Sequence, residues 1–136
     1  MRNQNDKLAN EIIKMLSQEF VPAETVLINR NGTAKKSPNC PNCGSWIRHW
    51  QTLSGESIPA NGDCAVVGCK GITKEGKPAE IVGCHVMRKD DKDKKVYIAP
   101  LCECCNNKAD GTELVLSRNM TLVYANVQET CGKLKR

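Results

Sequence analysis

The chain has 136 residues, a length that suits one compact domain with an appendage, and a formal charge of +5. No stretch approaches the roughly 20 apolar residues of a membrane span. The opening MRNQNDKLANEIIKMLSQEF lacks the basic, apolar and small-residue blocks of a secretory signal, so a cytoplasmic protein with no membrane partner is expected. The 40% apolar content includes nine cysteines, and the aromatics are only Phe20, Trp46, Trp50, Tyr97 and Tyr124. A chain so poor in large side chains buries little area and needs a staple.

Residues 5–20 read as a helix, with Leu8, Ile12, Leu16 and Phe20 on one stripe, Asn5 or Asp6 as cap and Pro22 as stop. The stripe is expected to dock on the rest of the domain; a protein-binding or dimerising helix is the alternative. ETVLI (24–28) reads as a short strand. NRNGTAKKSPN (29–39) reads as a linker, which puts a boundary near residue 38: an N-terminal helix and linker over 1–38, and a cysteine-rich domain over 39–136. GDCAVVGCKG (62–71) is a turn with glycines bracketing two cysteines. EIVGCHVM (80–87) and VYIA (96–99) read as a hairpin around the charged turn RKDDKDKK, with Val82, Cys84 and Val86 on one face. Pro100 is expected at the start of a helix carrying LCECCNNK and ending by Gly111, followed by strands in ELVL and TLVYANV. The fold class is α+β: a small zinc-stabilised core with short hairpins and an N-terminal helix.

The cysteines carry the chemistry. Thiols stay reduced in the cytosol, and nine cannot pair completely, so metal is favoured over disulfides. Zinc takes four tetrahedral ligands, mostly thiolate and imidazole. Cys64-x4-Cys69 offers one pair on a turn, and Cys102-x2-Cys105 offers another on the first turn of a helix. The hairpin between them brings the pairs together, in the treble-clef order of turn, hairpin and helix. Cys40-Pro-Asn-Cys43-Gly is a second tight pair that needs two more ligands. Cys131 and either His49 or His85 are the candidates, with Cys104 able to replace either, and His49 is preferred for its nearness to Cys40 and Cys43. Cys84 then packs as a small apolar residue and Cys104 is free. Seven thiolates holding two zinc ions would lower the formal charge to +2. That permits a nucleic-acid partner without calling for one.

At GCHV (83–86) followed by YIAPLCECCNNK (97–108), the chain resembles the HNH, or ββα-metal, endonucleases. The wider run of CGSW-x2-HW, G-x-HV, I-x-PLC and a late cysteine resembles small bacterial HNH-like proteins. The resemblance implies a treble-clef-like core, a strand histidine acting as general base, and a helix residue binding a divalent ion at the scissile phosphate. His85 matches the strand histidine and Asn106 the helix position; magnesium or manganese would be the catalytic ion. Two positions depart from the pattern. Cys84 stands where an acidic residue or histidine is usual, and Tyr97 stands where an asparagine orients the histidine.

The main expectation is therefore a zinc-binding, HNH-like protein acting on DNA or RNA, with nuclease activity through His85 and Asn106. The alternative is a non-catalytic zinc module that binds protein or nucleic acid. Arg48, Lys92, Lys94, Lys95, Lys133, Lys135 and Arg136 would then contact phosphates. Trp46 and Trp50 are expected to pack in the core, with stacking on bases as the other reading. Redox sensing by the paired cysteines is a third possibility, which a metal assay separates from the other two.

Overall fold

The computed structural model describes residues 4–30, 38, 40 and 42–135, so most of the expected linker lies outside the described residues. Among them the elements run α1 (Gln4–Leu16), β1 (Gln18–Val21), β2 (Val26–Asn29), α2 (Trp46–Ser54), β3 (Ile81–Arg88), β4 (Val96–Cys102), α3 (Glu103–Asn106), β5 (Glu113–Val115) and β6 (Met120–Tyr124). A 3-10 turn, Cys131–Lys133, lies near the C-terminus. The strands form one antiparallel sheet in the order β1-β6-β4-β3-β2-β5. The class is thus α+β as expected, but the short hairpins are merged into a six-stranded sheet. β1 and β2, from before residue 38, pair with β6 and with β3 and β5, so segments from both sides of that residue share it.

The helix expected over 5–20 stops at Leu16. The Ser17 hydroxyl donates back to the Ile13 carbonyl at 2.6 Å, a bond that competes with helix propagation. The next four residues then take up the free edge of β6, with Gln18 opposite Val123 and Val21 opposite Met120. Phe20 is therefore a strand residue.

The orientation of α1 also departs from expectation. Its apolar stripe faces away from the domain: Leu8 is 61% exposed, Ile12 48%, Met15 73% and Leu16 74%. Asn10 is the residue that docks, buried between a donated bond to the Lys135 carbonyl (2.8 Å) and an accepted bond from the Lys135 amide (2.7 Å).

The hairpin expected over 80–99 is β3–β4, in register from Ile81↔Cys102 to Met87↔Val96. Pro100 does not start a helix. It lies within β4 opposite Gly83, beyond the Tyr97 and Ile98 pairs with β6, where a missing N–H leaves that ladder intact. α3 is a single turn that ends well before Gly111. The reason is Asn29, fully buried in β2, whose Nδ2 donates to the carbonyls of Cys105 (3.2 Å), Asn106 (3.4 Å) and Lys108 (3.0 Å). This amide side chain adds its donors to the Lys108 and Asn107 amides that also reach the Cys105 carbonyl.

The sequence reading assigned no element to α2. Ser45 caps it, accepting the Arg48 amide at 3.3 Å, and Gly55 closes it in the left-handed conformation (φ 72°), its amide bonded to the Gln51 carbonyl. Trp50 and Leu53 pack from α2 against Ile98, Val123 and Cys131. Alternate β4 residues, Tyr97, Ala99 and Leu101, join the larger core with Leu27, Ile81, Cys84, Val86, Leu114 and Leu122. α2 lies directly on β3: a Cβ on Gly83 would stand 2.4 Å from the Trp46 carbonyl carbon, so only glycine allows this approach.

Candidate metal centre

Two groups of cysteines converge among the described residues, Cys64/Cys69/Cys102/Cys105 and Cys40/Cys43/Cys131, each with its sulfurs within 4.8 Å of one another. They are the pairs that the spacing joined.

The first group is assembled from a turn and from the β4–α3 junction. The turn closes through the Cys69 amide bonded to the Val66 carbonyl at 3.0 Å. Gly71 (φ 67°) passes so close to Gly62 that an added Cβ would lie 2.1 Å from its carbonyl oxygen. Cys102 is the last residue of β4 and the N-cap of α3, and Cys105 follows one turn on. The Cys64 and Cys105 sulfurs are 3.8 Å apart, and those of Cys69 and Cys102 are 3.5 Å apart. A tetrahedron with Zn–S bonds of about 2.3 Å has edges of about 3.8 Å, so the spacing suits one zinc ion. Backbone amides already point at these sulfurs, Cys102 N at Cys64 and Gly71 N at Cys69, both at 3.4 Å.

The proton affinities are split. The hydrogen bond it shares with Cys105 holds the Cys64 thiol down at about 5, against the opposing effect of burial. Cys105 is raised by the same bond to Cys64 and by burial, and Cys102 is pushed up to about 12, chiefly by burial. Four thiolates together need the charge that a bound metal supplies.

The second group joins three distant segments. The Cys43 amide closes on the Cys40 carbonyl at 3.2 Å, and Asn42 Nδ2 donates to the Cys131 carbonyl at 3.0 Å, tying this turn to the chain end. Cys43 and Cys131 are buried, Cys40 partly so. The Cys131 thiol is pushed up to about 12 by its hydrogen bond with Cys43 and by burial, while His49 acts the other way. His49 sits in α2, fully buried. Its Nε2 lies 2.8 Å from the Tyr124 carbonyl oxygen, which can only accept, so Nε2 carries the proton. Its Nδ1 is buried with no hydrogen-bond partner among the described residues.

The other sequence-predicted residues stand outside both groups. Cys84 is buried in the larger core, its thiol pushed up to about 12 mainly by burial, in keeping with a packing role. The Cys104 sulfur lies 3.6 Å from the Ile72 carbonyl oxygen. His85 is 8% exposed and meets the Trp46 ring edge-on at 4.5 Å. Burial first, and His49 second, lower its proton affinity to about 4. Asn106 closes α3 and is partly buried. Tyr97, at the position of the orienting asparagine, donates to Glu19 Oε2 at 2.6 Å and stacks on Tyr124 at 4.9 Å. Asp90 pairs with Arg88, and Asp91 accepts the Asp93 amide, so the acidic turn is held by its own contacts. Trp50 is buried, its indole N–H donating to the Thr121 carbonyl at 2.9 Å, as the core reading expected.

Two features were missed in the sequence. Asn29 was placed in the linker; a lone asparagine at a strand end carries no local mark of a helix-capping role in space. α2 did carry marks, in Ser45, the apolar run Trp46, Trp50 and Leu53, and Gly55. No described helix is long and apolar enough to cross a membrane. No protein-family model, curated protein or solved structure matches this chain.

Proposed function

We propose that the chain is a non-catalytic zinc module that works by protein contact, held together by two structural zinc ions and docking through α1. The observation that carries the zinc part is the convergence of four sulfurs at tetrahedral spacing on a turn, a strand end and a helix. A site closed by four thiolates offers no open position for water or substrate, which is the hallmark of structural zinc. Zinc there supplies positive charge and a crosslink. The burial of His85 beneath Trp46, with its lowered proton affinity, supports a packing role for the one strand histidine.

The contact surface follows from α1. The stripe of Leu8, Ile12, Met15 and Leu16 leaves on the order of 400–500 Å² exposed along α1, within the roughly 300–600 Å² of the largest apolar patch on a monomer, which is often functional. That is over half of the roughly 800 Å² per partner of a standard interface. The occupant is a second copy of this chain. Asp6, Lys7, Glu11 and Lys14 leave α1 with no net charge, so two basic chains meet there without repulsion. In an antiparallel two-fold pair centred on Ile12, Leu8 of one copy meets Leu16 of the other and Glu11 comes beside Lys14.

Elemental analysis of the purified full chain should give two zinc ions per chain, with the circular dichroism of the sheet lost on chelation. A folded, metal-free protein overturns the module. Sedimentation should show a dimer that becomes a monomer in Leu8→Glu/Leu16→Glu with zinc content unchanged. A wild-type monomer at tens of micromolar removes the second copy as occupant.

The order of turn, hairpin and ligand-bearing helix supports a second, HNH-like treble-clef reading, in which His85 and Asn106 serve DNA or RNA cleavage with magnesium or manganese. It requires cleavage that disappears in His85→Ala while the fold persists.

A further inference from the structure

We infer that His49, through Nδ1, is the fourth ligand of the Cys40/Cys43/Cys131 site, making it a three-thiolate, one-imidazole zinc centre. The inference rests on the zinc reading and adds to it the identity of the closing ligand and the way its geometry is fixed.

Three sulfurs leave one corner of a tetrahedron open. His49 has the chemistry to fill it. Its ring is fully buried and one nitrogen is already committed, because the Tyr124 carbonyl takes the Nε2 proton at 2.8 Å. In the neutral ring Nδ1 then carries a lone pair and no hydrogen. A buried acceptor of this kind is expected to have a partner, and Nδ1 has none among the described residues. α2, which carries His49, packs on the group: its Trp50 and Leu53 share one cluster with Cys43 and Cys131. Histidines that bind metal commonly donate their other N–H to a carbonyl or carboxylate, which fixes tautomer and ring orientation. Tyr124 fills that role from the end of β6.

The neighbours hold the same pose. Trp46, one helical turn earlier, meets the His49 ring edge-on at 5.2 Å, and the His49 amide is bonded to the Ser45 carbonyl at 2.9 Å. The other candidates are engaged elsewhere: His85 packs against Trp46 outside the group, and Cys104 lies against Ile72. The site would then clamp the Cys40 turn, α2 and the C-terminal turn, the last of which also carries α1 through Asn10 and Lys135.

The test is cadmium-113 NMR on the full chain loaded with the metal alone. Two resonances are expected: one of four-thiolate type, and one shifted as for three thiolates and a nitrogen, with scalar coupling to the His49 ring protons. Nitrogen-15 spectra should show His49 protonated at Nε2 and metallated at Nδ1. His49→Ala should lower affinity for the second ion by more than about 100-fold, beyond the 10–100-fold typical of losing a group that only supports a ligand. His49→Cys should bind two ions with both resonances of the four-thiolate type, which keeps the test decisive if the alanine variant fails to fold. A second ion with no coupling to His49, an alanine variant that keeps it at unchanged affinity, or a four-thiolate resonance standing alone overturns this inference and leaves the first site intact. Absence of both resonances overturns the zinc reading itself.

Discussion

The two cysteine groups are built by different strategies. The four-sulfur group draws its ligands from one stretch, Cys64 to Cys105, and sits where a turn covers the larger core beside Ala65, Val66 and Ala79. The three-sulfur group reaches from Cys40 to Cys131 and packs on the α2 side with Trp50, Leu53, Ile98 and Val123. The chain enclosed is about twice as long in the second case, but loop-closure entropy grows so slowly that this alone is worth only about 0.6 kcal/mol. What separates them is what each holds. The first fixes the heart of the sheet, through β4 and α3. The second fixes periphery: the Cys40 turn, α2 and the chain end against which α1 rests.

The sharpest way to break this contrast is to remove one sulfur from each. Cys102→Ser opens the first group at the strand end that also caps α3. Structural zinc contributes on the order of 10–16 kcal/mol in small finger peptides, against about 5–15 kcal/mol for the net stability of a domain. The expected result is loss of cooperative thermal unfolding and of both ions. Cys131→Ser should be milder. One zinc remains, the sheet keeps its dichroism, and rapid amide exchange is confined to α1, the Cys40 turn and residues 126–135. If both variants unfold alike, the two groups are one cooperative unit and the contrast fails.

Legibility in the sequence follows the same divide. The four-sulfur group could be read because its ligands come in two spaced pairs with glycines beside them, and only a hairpin separates the pairs. The second was half legible: Cys40 and Cys43 announce themselves by spacing, but Cys131 lies 88 residues beyond Cys43 and has no local partner. α1 misled in a different way. Its periodicity marks a helix and an apolar stripe, but periodicity does not say which way the stripe faces. Two hydrogen bonds between Asn10 and Lys135, across 125 residues, turn it outward. Its end was also misplaced, since Phe20 continues the i, i+4 spacing while the open edge of β6 claims the strand.

Asn29 sharpens the comparison at smaller scale, because it supports the first group alone. Asn29→Leu should keep the volume while removing the amide donated to the carbonyls of Cys105, Asn106 and Lys108. The expected loss is about 1–3 kcal/mol in urea denaturation, the penalty for unsatisfied buried polar groups. Zinc release from the four-sulfur site should become faster, with the second site unaffected. Equal acceleration at both sites would mean that strain passes through the sheet.

The smallest effect concerns His85, which faces Trp46 of α2 from β3. Its proton affinity falls from an ordinary 6.5 to about 4, because burial under Trp46 penalises the charged ring and His49 adds to the penalty. Between those values the unfolded chain binds a proton that the folded chain does not. Stability from this residue is therefore complete above pH 6.5 and is lost as pH falls toward 4. At 1.36 kcal/mol per unit the change is at most about 3 kcal/mol. Acid also strips zinc, so wild type must be compared with His85→Gln, which keeps a polar planar side chain and does not titrate. The comparison is therefore confined to pH values at which both proteins still hold their zinc. Urea midpoints measured downward from pH 7 over that range should show the wild type losing ground to the variant only below pH 6.5. A flat difference would mean that the ring is solvated in both states, and that Trp46 does not seal the space between α2 and β3.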